Sequence, residues 1–275
     1  MATNKEIEKL YDSKILSSID INMLWGKKNE LYFNHNGLLY DENWESYILE
    51  FRDESLNEFL YKLELEQVKK IASHLEEYNE NHLLLDAGCG AGGSSIIIHE
   101  LNRCKIEGYT LSNEQVKLGN KSAKKRKVEN AVLFLKGNIL ELPVEEKKYN
   151  AILASENTEH IVDLDSMYSE FQRVLVNRGS LLIIAWCATD SEDGKRIKSQ
   201  VDNHYLTDIH TKSEYIEKAR NYGFQLVLEE DLTEETARYW KIRSSGKILS
   251  GSEPFMTEGF YKGFMEYHLL KFELR

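Results

Sequence analysis

One stretch limits this chain more than any other. Residues 83–93 read Leu-Leu-Leu-Asp-Ala-Gly-Cys-Gly-Ala-Gly-Gly. An apolar run too short for a helix ends in an acid and then in glycines. Such a run reads as a buried strand, and the glycines allow a tight turn where a ligand can approach the backbone. Downstream the rhythm repeats. Residues 94–101, 113–127, 165–175 and 211–222 have helical patterning, and 113–127 ends in basic residues, the favourable end of a helix dipole for cations. Residues 105–110, 132–135, 151–154, 181–186 and 224–228 read as strands. Upstream, Leu56, Phe59, Leu60, Leu63, Ile71 and Leu75 recur at helical spacing. Strands alternating with helices predict an α/β fold, a parallel sheet with helices on both faces. Residues 1–50 read as irregular and aromatic, 232–250 as helical, and 263–274 as a final alternating strand.

Gly88, Gly90 and Gly93 fit G-x-G-x-x-G, a spacing also used for dinucleotides. A dinucleotide site asks for an acid at the tip of the second strand, to hold a ribose. Here that tip reads Gly108-Tyr109-Thr110-Leu111-Ser112, with no acid. Asp86 stands instead just before the first glycine. The run Asp86-Ala87-Gly88-Cys89-Gly90-Ala91-Gly92 resembles motif I of the class I S-adenosylmethionine-dependent methyltransferases. The resemblance implies a Rossmann-like sheet, mostly parallel with the last strand antiparallel. It implies that Gly88 and Gly90 face the methionine part of the cofactor, with Asp86 and Gly92 also at the cofactor site. Thr110, Leu111 and Gln115 fall on its ribose and adenine side, and Asn138 and Ile139 at the adenine. Taken alone, Asn138 reads as an ordinary turn residue.

Composition narrows the partners. The 275 residues, 41% of them apolar, suit one globular domain with a cap. A formal net charge of -11 argues against a nucleic-acid substrate, whose phosphates need a basic surface. Three cysteines without metal-ligand spacing fit a reducing compartment. The first residues lack a signal-type apolar core, and no stretch is apolar enough to span a membrane, so a cytoplasmic location is expected. Residues 1–80 read as a cap and lid segment, and 81–275 as the cofactor domain with a substrate-cap insertion around 190–262. A homo-oligomer is left open.

The flanks specify more. Asn22, Gly26, Leu31-Tyr32, His35 and Gly37 precede the loop. Asn203-His204-Tyr205, Asp208-Ile209-His210, Glu214-Tyr215, Asp231-Leu232-Thr233, Thr236, Tyr239-Trp240, Arg243, Gly251, Glu253, Gly263 and Tyr267 follow it. In order and spacing these resemble the bacterial geranyl diphosphate 2-C-methyltransferases and related prenyl diphosphate C-methyltransferases, from about residue 20 to the C-terminus. The resemblance implies attack of a prenyl alkene on the sulfonium methyl group, then proton loss from a carbocation. The substrate is then a prenyl diphosphate of ten or fifteen carbons, with five also open. Such chemistry needs a dry site, aromatic faces, donors for the diphosphate, and Mg²⁺ beside it. Tyr32 matches a substrate-pocket tyrosine of that family. Arg243 is the first choice for the diphosphate, followed by His210, Asn22 and Tyr267, with His35, Tyr205 and Trp240 beside the substrate. The histidines read equally well as structural, Tyr32 also as a core aromatic, and Arg243 also as a surface salt-bridge residue.

The chain departs from the family at the base. Without a gap the family's catalytic glutamate falls on Asn157; a one-residue adjustment gives the role to Glu156, and Glu159 and His160 stay open. A misplaced base would let the cation cyclise onto a second double bond. The competing function is methylation of an amine, phenol or sterol-like ring, which needs neither Arg243 nor Mg²⁺.

Overall fold

The computed structural model describes residues 3–17, 26 and 28–275. Seven strands form one sheet: β1 (Leu83–Ala87), β2 (Lys105–Thr110), β3 (Val132–Lys136), β4 (Tyr149–Ser155), β5 (Leu175–Ala188), β6 (Phe224–Asp231) and β7 (Met265–Leu274). Their order is β3-β2-β1-β4-β5-β7-β6. Strands β1 to β5 pair in parallel, while β7 runs antiparallel between β5 and β6. The sheet is thus mostly parallel with an antiparallel last strand, as the resemblance implied. Strand β5 is buried over nearly its whole length, as a central strand covered on both faces must be.

The helices are α1 (Asn4–Leu16), α2 (Tyr47–Glu50), α3 (Asp53–Ser73), α4 (Gly93–Asn102), α5 (Asn113–Lys125), α6 (Leu164–Val174), α7 (Glu192–Tyr205), α8 (Lys212–Asn221), α9 (Thr233–Arg243) and α10 (Glu253–Tyr261). One face of the sheet packs on α3, α4, α7, α9 and α10 through residues such as Leu60, Ile71, Ile96, Val201, Ile242 and Phe260. The other packs on α6 and α8 through Met167, Phe171, Tyr215 and Ala219. Each fully buried aliphatic or aromatic side chain stabilises the fold by roughly 1.5–3 kcal/mol. Residues Leu31, Phe33, Leu38 and Leu39 enter the same core as α3 and the strands. No described helix is long and apolar enough to cross a membrane.

Three segments differ from the sequence reading. Residues 4–16 are a helix rather than irregular chain, started by a capping box in which Thr3 and Glu6 satisfy each other's backbone N–H groups. The helix expected over 232–250 stops at Arg243, and Gly251, at φ +91°, turns the chain into α10. The insertion after β5 carries α7, capped by Ser191, whose side chain accepts from the Gly194 N–H.

Candidate active site

In the sheet order β1 lies between β2 and β4, so the connections leave β1 and β4 in opposite directions. Ligands in open α/β sheets bind at the carboxyl ends of strands at such a switch point. A cavity opens there. Asp86, Gly88, Gly90, Thr110, Leu111, Gln115, Asn138 and Ile139 all line it. A Cβ on Gly90 would meet only the Gln115 amide, at 3.9 Å, so this glycine leaves room on the cavity side. Gly92 differs from the expectation. It does not line the cavity; at φ +81° its Cα lies against Phe134, where a Cβ would come within 2.2 Å of the ring. Its smallness serves packing of the turn into α4.

Polar groups in this cavity are held in place. Asp86 is buried, which lifts its carboxyl to about 6, and it accepts the Ser95 hydroxyl. Thr110 donates to Gln115 Oε1 at 2.6 Å. Asn157 is buried to 9% exposure, yet neither atom of its amide has a hydrogen-bond partner. An unpartnered buried amide is costly, and this one lines the cavity, so a polar ligand is the natural partner. Tyr32 borders this first cavity rather than the second one described next.

The second cavity, of about 520 Å³, adjoins the first. Tyr11, Asn34, His35, Glu156 and His160 line both. Farther in lie Trp186, Tyr205, Tyr239, Trp240 and Arg243. Arg243 is 7% exposed. Its Nε donates to Glu253 at 3.2 Å, one NH group donates to the Tyr239 hydroxyl at 3.1 Å, and its guanidinium lies 5.0 Å from the Trp240 ring centre. Tyr205 donates to Ser252 at 2.6 Å, and its ring packs on Trp186. The result is an aromatic chamber with a fixed cation at one end.

Glu156 stands where the two cavities meet. It follows β4 directly and sits at φ +47°, a left-handed conformation that costs a residue other than glycine of order 1–3 kcal/mol. Its N–H donates to Ile184 at 2.9 Å, which continues the pairing with β5 while the side chain turns toward the cavities. Glu156 Oε1 accepts the Asn36 N–H at 2.7 Å and the Tyr267 hydroxyl. Burial raises its carboxyl to about 7, against the lowering effect of these donors. Glu159 is raised to about 8, by burial first and then by the charge of Glu156, and it accepts the Trp186 N–H at 2.8 Å.

The two seam histidines are neutral. Burial holds both His35 and His160 down to about 4. His160 Nδ1 faces the Leu206 carbonyl at 3.2 Å, so that nitrogen carries the proton, and Tyr11 donates to Nε2 at 2.7 Å. His35 likewise donates from Nδ1 to the Asn36 carbonyl at 2.8 Å and accepts from Ser94 at 3.1 Å.

Two expected substrate ligands lie elsewhere. His210 lines neither cavity; its Nε2 contacts the Ile161 carbonyl at 2.7 Å and its ring packs on Tyr215, so its role is structural. Tyr267 is fully buried on β7, between Gln67 and Glu156, and supports the carboxylate instead of reaching a ligand. Asn22 lies outside the described residues. Sequence reasoning overlooked α1, although the capping box and the spacing of Ile7, Leu10, Tyr11 and Lys14 signalled a helix. It also overlooked Trp186 and Asn36, whose contributions arise from register and a backbone N–H, which carry no residue-type signal.

Comparison with known proteins agrees with this geometry. The methyltransferase-domain family matches residues 79–238. The geranyl diphosphate 2-C-methyltransferase of Saccharopolyspora erythraea is 31% identical over 87% of this chain and 85% of its own length. The enzyme of the same name from Streptomyces ambofaciens is 29% identical, over 91% and 87%. The crystal structure of geranyl diphosphate C-methyltransferase from Streptomyces coelicolor, with Mg²⁺, geranyl-S-thiolodiphosphate and S-adenosyl-L-homocysteine, superposes with a TM-score of 0.89 at 26% identity, covering 99% of this chain and 98% of that one. With motif I bordering a switch-point cavity and an aromatic chamber behind it, the chain is an S-adenosylmethionine-dependent C-methyltransferase and belongs to the family of the geranyl diphosphate 2-C-methyltransferases.

Proposed function

We propose that the protein transfers a methyl group to an alkene carbon of a prenyl diphosphate of ten or fifteen carbons. The observation that carries this reading is the meeting of two cavities at Glu156, with a buried arginine at the far end of the second. Bound in the first cavity, S-adenosylmethionine supplies an electrophilic methyl group. Gly88, Gly90 and Asp86 would face its methionine part and Asn157 would offer its unpartnered amide, while Thr110, Leu111, Gln115, Asn138 and Ile139 would take its nucleoside. Tyr205, Trp186 and Trp240 exclude water and turn π-faces to a cation on the substrate. Arg243 grips the diphosphate as a charge-assisted donor. Glu156 is the base that removes the proton after methyl transfer, because it alone among the acids lines both cavities. Its carboxyl near 7 is partly ionised at neutral pH, and a neighbouring positive charge lowers it further.

Among the described residues no cluster of three or more His, Cys, Asp or Glu could hold a metal. Magnesium would therefore be held chiefly by the diphosphate oxygens and water, as is usual for this ion. The open chamber beyond Glu156 leaves space for a longer prenyl tail to fold back and cyclise. The test is incubation with methyl-labelled cofactor and, separately, prenyl diphosphates of five, ten and fifteen carbons, with mass analysis of products. Label in the ten- or fifteen-carbon product is expected. Label only in an amine, phenol or sterol would overturn the reading.

A further inference from the structure

Helix α1 roofs both cavities. Asn4, Ile7 and Tyr11 line the first, and Leu10, Tyr11, Ser13 and Lys14 line the second. Positions 4, 7, 11 and 14 share one helical face. Yet Ile7 is the only buried residue of α1. The helix is attached by polar contacts: Glu8 pairs with Lys136, Asp12 accepts the Ser112 hydroxyl and the Glu114 N–H, and Tyr11 donates to His160. An element with so little buried apolar surface opens at low free-energy cost. Lids over active sites are drawn from such elements.

Lys14 sits on the inner face of this roof. Its ammonium lies 5.1 Å from the Tyr11 ring centre and 5.4 Å from that of Tyr205. It lines the second cavity with Arg243, His204 and Tyr205. Arg243 is already paired with Glu253, so a multiply charged anion arriving there meets a partly compensated cation. A second cation, brought from the roof, would complete the grip.

We propose that Lys14 is a diphosphate ligand carried on a lid, so that the anion end of the substrate holds α1 closed over both cavities. The proposal rests on the prenyl diphosphate reading above. It adds a residue, and a coupling: binding of the anion seals the cofactor cavity from water at the moment both ligands are present.

The test uses the full chain, with Lys14→Met to remove the charge but keep the stem, and Lys14→Arg to restore it. Lys14→Met should raise KM for the prenyl diphosphate about tenfold to a hundredfold, the span for loss of a hydrogen bond to a charged group. Lys14→Arg should recover most of it. Calorimetric affinity for S-adenosylhomocysteine alone should not move. Hydrogen exchange over residues 4–16, with S-adenosylhomocysteine and inorganic pyrophosphate as probes, should show protection on adding pyrophosphate in wild type and Lys14→Arg, and none in Lys14→Met. If wild type methylates no prenyl diphosphate but pyrophosphate still protects α1 through Lys14, the anion site stands and the substrate reading falls. Equal KM and equal protection in wild type and Lys14→Met would overturn the proposal.

Discussion

Glu156→Gln separates charge from shape at the seam. Two hydrogen bonds to this side chain, from the Asn36 N–H and the Tyr267 hydroxyl, end on Oε1. A glutamine carbonyl accepts both, so the substitution keeps the packing and removes the ionisation. The folded state raises this carboxyl from 4.5 to about 7. A raised value means that folding favours the protonated form. Wild-type stability from this group is therefore complete below the ordinary pKa and is lost as pH climbs through the folded one, ~3 kcal/mol in all. Glutamine has no such loss. Urea unfolding without ligands should find the two proteins alike at about pH 4, and the variant more stable by ~3 kcal/mol at about pH 8. Part of the gain comes from Glu159, which ionises more easily once Glu156 carries no charge. Turnover should fall roughly 10²–10⁴-fold if the carboxylate also steers the cation. If deprotonation is its only task, methyl transfer should persist with rearranged, hydrated or cyclised products. A difference in stability that does not change with pH, together with unaltered rate and products, would refute both the ionisation and the catalytic argument.

Other outcomes follow from the same geometry. Gly90→Arg fills the open side of the first cavity, so a folded variant should lose S-adenosylhomocysteine binding by calorimetry. Arg243→Ala should raise KM for a prenyl diphosphate roughly 10- to 150-fold without changing cofactor affinity. It should also lower thermal stability, because it leaves Glu253 buried without its cation. Tyr267→Phe removes a donor that lowers the Glu156 pKa. The acidic limb of the pH–rate profile should move to higher pH, whereas a purely structural hydroxyl would change rate equally at every pH.

The glycine turn at the first cavity was legible because its constraint is local. A turn with several residues at positive φ favours glycine at given positions, and Gly88 and Gly90 stand there directly after a strand and line the first cavity. Gly92 looked the same in sequence, and only the Phe134 ring beneath it shows a different reason for the same residue. The substrate side was legible only in part. Arg243, Tyr205 and Trp240 do meet in one chamber. Tyr267 and His210 sit in similar stretches and do not join them. Tyr267 is placed by pairing opposite Trp186 across β5 and β7, which brings its hydroxyl to a carboxylate 111 positions away. No local pattern encodes such a register. Helix α1 was readable as a helix, but its docking over both cavities depends on partners a hundred or more residues distant, such as Ser112 for Asp12.

The neutral histidines at the seam have an effect on the field along the passage. Arg243 and Lys14 line the second cavity, and Glu156 stands at its seam with the first. Beside Glu156, His35 and His160 keep the seam free of positive charge until pH approaches about 4. On the prenyl diphosphate reading, a substrate with an anionic head and a tail destined to become cationic would be favoured with its head toward Arg243 and Lys14 and its tail toward Glu156. The head would be drawn to the guanidinium, and positive charge formed on the tail would be stabilised by the Glu156 carboxylate. Orientation of the substrate and guidance of its cation are then two effects of one electrostatic gradient.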